Sequence, residues 1–242
     1  MYSFRLFLMR LGLLVLGLTI TAVAAPGKDA PAGRPRIVVL GDSITAGYGL
    51  SPDEAYPALL QKKIDGAHLM YEVINAGLSG DTTAGGLRRV DWVLSGGAKV
   101  LLIALGGNDG LRGLPPQQTE ANIAAIIKRA REKAPGILVL VAGMQMPASM
   151  GPDFVKAFGA LFPHVAAQNG AILIPYLLSG VGGIPALNQP DYIHPTAEGQ
   201  KKVAENVWAT MAKVLEQPLT LAAPSRNGPA SGNTSAGSPS GQ

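Results

Sequence analysis

The chain has 242 residues, 47% hydrophobic but only 5% aromatic, so it can bury one sizeable core and must build it mainly from Ala, Val, Leu and Ile. The absence of cysteine excludes disulfides, a thiol nucleophile and a cysteine-linked lipid anchor. The formal charge of +4 includes Arg5 and Arg10 and falls to +2 without the N-terminal segment that carries them; no basic stripe is interleaved with aromatics, which argues against nucleic acid as a partner.

Residues 1–24 read as a secretory signal peptide. Arg5 and Arg10 give a positive start, residues 11–22 form an apolar run, and Ala22-Val23-Ala24 offers small residues before a cut at Ala25. The run is short for a membrane span, so an exported product, periplasmic or secreted, is expected. Residues 25–35 are rich in Pro, Gly and Ala and read as a flexible leader. The folded domain is expected over 36–217. A tail over 218–242, rich in Gly, Ser, Pro and Asn from Pro224 onward, is expected to be disordered.

Within the domain, the β-branched run 36–40 ends at a glycine, the profile of a buried parallel strand. Ala55, Leu59, Leu60 and Ile64 recur near helical spacing and predict a helix over 52–64. Further along come a strand over 71–76, a helix over 82–94 and an almost wholly apolar strand over 99–105. A helix over 120–133 carries Ile123, Ile126 and Ile127 on one face. Then follow a strand over 137–142, a helix over 154–169, a short strand over 171–175 and a closing helix over 195–216, with Pro195 at its start. Strands alternating with helices predict right-handed crossovers and a five-stranded parallel sheet of flavodoxin-like order, 2-1-3-4-5. Sites in such sheets lie at the carboxyl ends of the strands.

Three polar segments stand at such ends or lead into a helix: Gly41-Asp42-Ser43, Gly106-Gly107-Asn108-Asp109 and Asp191-Tyr192-Ile193-His194. Ser43 follows the first strand among small residues that let its hydroxyl stand free. His194 can act as a base, with Asp191 three residues earlier to hold one ring nitrogen. The N–H groups of Ser43 and Gly80 and the side-chain amide of Asn108 can stabilise an oxyanion. Each segment also has a plainer reading: a helix cap for Gly-Asp-Ser and Asp-x-x-His, a turn for Gly80 and for Asn-Asp. Their combination supplies a full set for acyl transfer by a serine. Asp42, Asp81, Asp109 and Arg112 are expected to support loop geometry, and His68 and His164 to be surface or structural residues. No persuasive metal-ligand set is present, and the chemistry needs no cofactor. Met144, Met146 and Met150 are candidates for an acyl-chain wall, with ordinary core filling the equal alternative.

These segments resemble the SGNH hydrolases, also called the GDSL family. The four namesake residues stand here as Ser43, Gly80, Asn108 and His194, and the acid as Asp191; Ile44 replaces the usual leucine after the serine. The stretches 75–82 and 105–113 look like the bacterial periplasmic branch, with its arylesterases, acyl-thioesterases and lysophospholipases. The resemblance spans roughly residues 36–215. It implies a three-layer α/β/α sandwich and a serine esterase acting on small-molecule carboxylic esters and thioesters; transient contact with lipid is a further expectation. Three alternatives stay open on the sequence: a carbohydrate O-deacetylase of the same fold, a flavodoxin-like binding module and a scaffold with a dead site.

Overall fold

A computed structural model describes residues 33–216; the expected signal peptide, nearly all of the leader and the expected tail lie outside the described residues. The elements run in the order β1 (Arg36–Gly41), α1 (Ser43–Ala46), α2 (Tyr56–Gly66), β2 (Glu72–Gly77), α3 (Thr83–Val93), β3 (Val100–Ala104), α4 (Gly107–Leu111), α5 (Pro116–Lys133), β4 (Leu138–Ala142), α6 (Pro152–Gln168), β5 (Ile172–Ile174) and α7 (Ala197–Leu215). Short 3-10 turns at Ala148–Met150 and Pro185–Leu187 interrupt the connections before α6 and α7.

The five strands form one parallel sheet in the order β2-β1-β3-β4-β5. Its centre is apolar on both faces: every residue of β3, Val-Leu-Leu-Ile-Ala, is buried, and β1 is buried from Ile37 to Gly41. Period-two alternation is absent because helices cover both sides. The edge strand β2 is only partly buried and carries Glu72 and Asn75.

Register sets the position of the site. Gly41 at the end of β1 pairs with Gly77 of β2 on one side and Ala104 of β3 on the other, so three strands finish level. The chain leaves each of these ends into a polar segment. Helices α2 and α7 pack together, and α3, α5 and α6 form a second packed group. Ile123, Ile126 and Ile127 of α5 are fully buried, and Phe158 and Phe162 of α6 meet edge to face at 5.6 Å. Helix α6 continues through Pro163, which removes one ladder hydrogen bond from its interior.

The predicted strands and long helices are all present, with shifted ends. Helix α5 starts at Pro116, where proline fits the first turn, rather than at residue 120. The closing helix starts at Ala197, not at Pro195. Thr196 caps it by accepting from the Gly199 N–H at 3.2 Å, and Pro195 instead forms an isolated bridge with Asn188.

Candidate active site

Gly41, Asp42 and Ser43 each have a separate physical task. A Cβ on Gly41 would overlap the side chain of Thr45, which the first turn of α1 folds back onto the strand end. Thr45 is itself held by a hydrogen bond between its Oγ1 and the Tyr56 hydroxyl, 2.9 Å apart and fully buried. Asp42 is the N-cap of α1, and its Oδ1 accepts the Ile44 N–H at 3.0 Å. The helix ends after one turn at Gly47, in the left-handed region with φ of 76°. Ser43 therefore sits on a turn fixed at both ends. Burial pushes the Asp42 carboxyl up to about 6, against the opposing pull of the Ile44 N–H and of positive charge on His194.

His194 lies on a short turn held largely by its own residues. Asp191 Oδ1 accepts the backbone N–H groups of Ile193 at 2.9 Å and His194 at 3.0 Å, while Oδ2 meets His194 Nδ1 at 2.6 Å. These bonds, led by the His194 backbone N–H and followed by the imidazole, hold the Asp191 carboxyl down at about 2. Tyr192, between Asp191 and His194, adopts a left-handed φ of 58°, a conformation that costs a non-glycine residue on the order of 1 kcal/mol. The spacing of three is what lets one carboxylate bind the turn and the ring together. With Nδ1 turned to Asp191, His194 Nε2 lies 2.9 Å from Ser43 Oγ, across 151 residues of sequence.

Gly80 and Asn108 come from the ends of β2 and β3. Gly80 has φ of 78°, and a Cβ there would come no closer than 4.0 Å to any atom, the terminal nitrogen of Arg112. Backbone conformation, rather than crowding, thus requires glycine. Arg112 donates to the Gly80 carbonyl at 3.0 Å. Asn108 Nδ2 donates to the Asp81 carbonyl at 2.9 Å, which uses one of its two N–H groups and leaves the second. Among the described residues, neither the Ser43 N–H nor the Gly80 N–H has a protein acceptor.

Buried polar side chains support this geometry. Arg89 of α3 pairs with Asp81 at 2.7 Å and donates to the carbonyls of Ala76 at 2.8 Å and Gly41 at 2.9 Å, so one guanidinium ties two strand ends to the Gly80 loop. Asp109 accepts the Thr83 N–H at 2.9 Å and the Thr83 hydroxyl, which fixes α4 against α3. Gln200 of α7 spans α1 and α2, donating to the Ile44 carbonyl and accepting the Tyr56 N–H, each at 2.9 Å. Asp81, Asp109 and Arg112 thus sit where loop support was expected. The sequence reading missed Arg89 and Gln200; a lone polar residue inside a helix's apolar stripe is the signal that could have found them. His164 pairs with Glu120 on the surface, and His68 takes a left-handed turn position.

A cavity of about 440 Å³ adjoins these segments. Its wall includes Ile44, next to the serine; Gly107, next to Asn108; and Tyr192 and Ile193, next to the histidine. Met144 and Met146 also line it, with Leu111 and Leu178. Met150 does not: it lies in the 3-10 turn and packs on the core, so the three-methionine wall reduces to two. Tyr176 and the Gly182-Gly183 stretch, absent from the sequence expectation, complete the far side. Among the described residues no cluster of three or more His, Asp or Glu side chains could hold a metal ion.

The GDSL-like Lipase/Acylhydrolase family matches residues 39–202. The chain is 43% identical over 180 residues to the esterase TesA of Pseudomonas aeruginosa, covering 74% of this chain and 89% of that one. It is 39% identical over 184 residues to thioesterase 1/protease 1/lysophospholipase L1 of Escherichia coli K12, covering 76% and 84%. Among solved structures, the psychrotrophic esterase EstA from Pseudoalteromonas sp., inhibited by monoethylphosphonate, superposes with a TM-score of 0.71 at 31% identity, over 75% of this chain and 99% of that one. The chain belongs to the GDSL-like lipase and acylhydrolase family and is an ester hydrolase.

Proposed function

We propose that the chain hydrolyses small-molecule carboxylic esters and thioesters through a covalent acyl-enzyme, with Ser43 as nucleophile, His194 as general base and Asp191 as its orienting acid. The observation that carries this reading is the continuous bridge from Asp191 Oδ2 to His194 Nδ1 at 2.6 Å and from Nε2 to Ser43 Oγ at 2.9 Å. Ser43 Oγ bonds to the acyl carbon while His194 Nε2 takes its proton. Asp191 fixes the tautomer and faces the imidazolium. The negative oxygen is stabilised by the free N–H groups of Ser43 and Gly80 and by the remaining Asn108 N–H. His194 returns the proton to the departing alcohol or thiol, and water then repeats the cycle on the acyl-serine, releasing the acid.

The largely apolar cavity wall, with Met144 and Met146, suits an acyl chain better than a sugar, so acyl esters are favoured over a carbohydrate O-acetyl substrate. EstA's inhibition by a phosphonate is the behaviour expected of an activated serine in that relative. We read the scaffold as a three-layer, flavodoxin-like sandwich over 36–217, preceded by a cleaved signal over 1–24 and a leader over 25–35, and followed by a disordered tail over 218–242. The apolar run at 11–22 supports export. Exposed Tyr48, Leu78, Leu111, Ile184, Tyr192 and Ile193 support transient contact with lipid.

Ser43→Ala is expected to abolish hydrolysis of a short p-nitrophenyl ester and labelling by a fluorophosphonate, with an unchanged far-ultraviolet spectrum. Turnover retained in that variant would remove Ser43 from the mechanism.

A further inference from the structure

The ring of Tyr48 lies over the imidazole of His194, with centroids 4.6 Å apart and planes inclined by 38°. Tyr48 is half exposed, packs in no core cluster, and makes no hydrogen bond through its hydroxyl among the described residues. Its backbone, by contrast, is held from both sides. The Tyr48 N–H donates to the Ser43 carbonyl at 3.0 Å. The Tyr48 carbonyl accepts from Gln189 Nε2 at 2.7 Å, and the same nitrogen donates to the Pro195 carbonyl at 3.1 Å. Gln189 also sends its own N–H to the His194 carbonyl at 2.7 Å. Gly49, with φ of 78°, makes room for this clamp, since a Cβ there would collide with the Gln189 amide. The turn that bears the serine and the turn that bears the histidine are thus joined by one amide, and the aromatic ring between them rests on the base.

We propose that Tyr48 is a positioning residue for the acyl-transfer reaction, held by Gln189, that fixes the imidazole plane and favours its protonated state through the face of the ring. The proposal rests on the Ser43–His194 reading given above. An aromatic face attracts a cation within about 6 Å of its centroid, and 4.6 Å is well inside that range. The charged groups acting on the imidazole are Asp191, bonded to Nδ1, and Asp42, buried beneath the serine; both are anions when ionised. Ser43 and Tyr48 meet it as neutral hydroxyl and phenol. Tyr48 therefore adds a contribution that is small in the neutral ground state and larger when the proton has moved to the ring. It also covers one side of the base and restricts ring rotation, which keeps Nε2 directed at the serine.

The test compares the full chain with Tyr48→Phe and Tyr48→Leu on a short soluble p-nitrophenyl ester across pH. Tyr48→Phe keeps the ring and is expected within about twofold of the parent in kcat. Tyr48→Leu is expected to lose on the order of tenfold in kcat with KM little changed. The acid limb of its kcat/KM profile moves to lower pH by about half a unit, because the imidazolium has lost a stabilising face. Nuclear magnetic resonance gives a readout that does not depend on turnover: the His194 ring protons carry an aromatic ring-current shift that Tyr48→Leu removes and Tyr48→Phe retains. Tyr48→Leu with parental kcat and an unmoved acid limb would overturn the proposal, as would a loss confined to KM or an equal loss in Tyr48→Phe. Failure of the underlying serine assignment is separate, since it would show as activity in Ser43→Ala.

Discussion

In the proposed mechanism Asn108 carries two loads on one side-chain nitrogen. One N–H holds the Asp81 carbonyl and so the Gly80 loop, and the other would meet the negative oxygen of the reacting ester. Asn108→Ala removes both. Turnover is expected to fall by about 10²–10³ with KM changed far less, measured as kcat on a soluble ester. The candidates Ser43 and Asn108 were legible in the sequence because each follows an apolar run, and His194 because Asp191 stands three residues before it. Tyr48, Gln189 and Arg89 were not. Gln189 and Arg89 bind backbone carbonyls, at Tyr48 and Pro195 for Gln189 and at Ala76 and Gly41 for Arg89, and those of Tyr48 and Gly41 lie 141 and 48 residues away. A sequence displays side-chain types, not the direction of a distant carbonyl. Met150 illustrates the opposite error. Met144 and Met146 follow β4 two residues apart, a spacing that turns both side chains the same way in extended chain. The 3-10 turn breaks that pattern before Met150.

Among the elements, β2 and α1 meet closely near the serine. A Cβ at Gly77 would overlap the backbone nitrogen of Ala46 and press on the Thr45 carbonyl carbon, neither of which can rotate away. Gly77→Ala is expected to destabilise the fold by about 1–3 kcal/mol and to lower turnover by displacing α1. Gly66→Ala, at the end of α2 with nothing within 4 Å of the new methyl, is expected to be neutral or slightly stabilising. Denaturant midpoints of the two variants check the contrast. The buried strands were legible because helices cover both faces and leave continuous apolar runs, as in β3. The short helices α1 and α4, of four and five residues, were not, because neither completes enough turns to show a period. Their caps decide them instead: Asp42 for α1, and Gly106, at φ of 117°, for α4.

For the molecule as a whole, buried Asp42 ties stability to pH in an unusual direction. Its carboxyl titrates near 6 when folded and near 3.8 when exposed, so the folded chain binds this proton more tightly. Stability is therefore expected to rise as pH falls from about 7 to about 4, by roughly 3 kcal/mol at most. Asp191 acts with the opposite sign. Its folded carboxyl is held at about 2, so its contribution is present above about 4 and is lost as pH falls toward 2. Urea unfolding over a pH series should show a maximum near pH 4 to 5. Asp42→Asn, which keeps an acceptor for the Ile44 N–H, should flatten the limb above it. The parallel α/β architecture was legible from strands alternating with helices, since crossovers of that length leave few topologies. The depth at which Asp42 lies was not, because burial of a residue beside a reactive one depends on how far distant helices close over it.

Asp191 and His194 bound a cassette of four consecutive residues, whose three internal bonds involve no other part of the chain. The scaffold's long-distance task is then to bring the Ser43 hydroxyl, 151 residues upstream, to the Asp191–His194 dyad, which Gln189 also ties to the serine turn. Cutting the chain in the turn at Gly170, ahead of β5, would part the hydroxyl from the dyad while leaving the local bonds of each whole. Ester cleavage by such a pair of fragments would report their docking and nothing less.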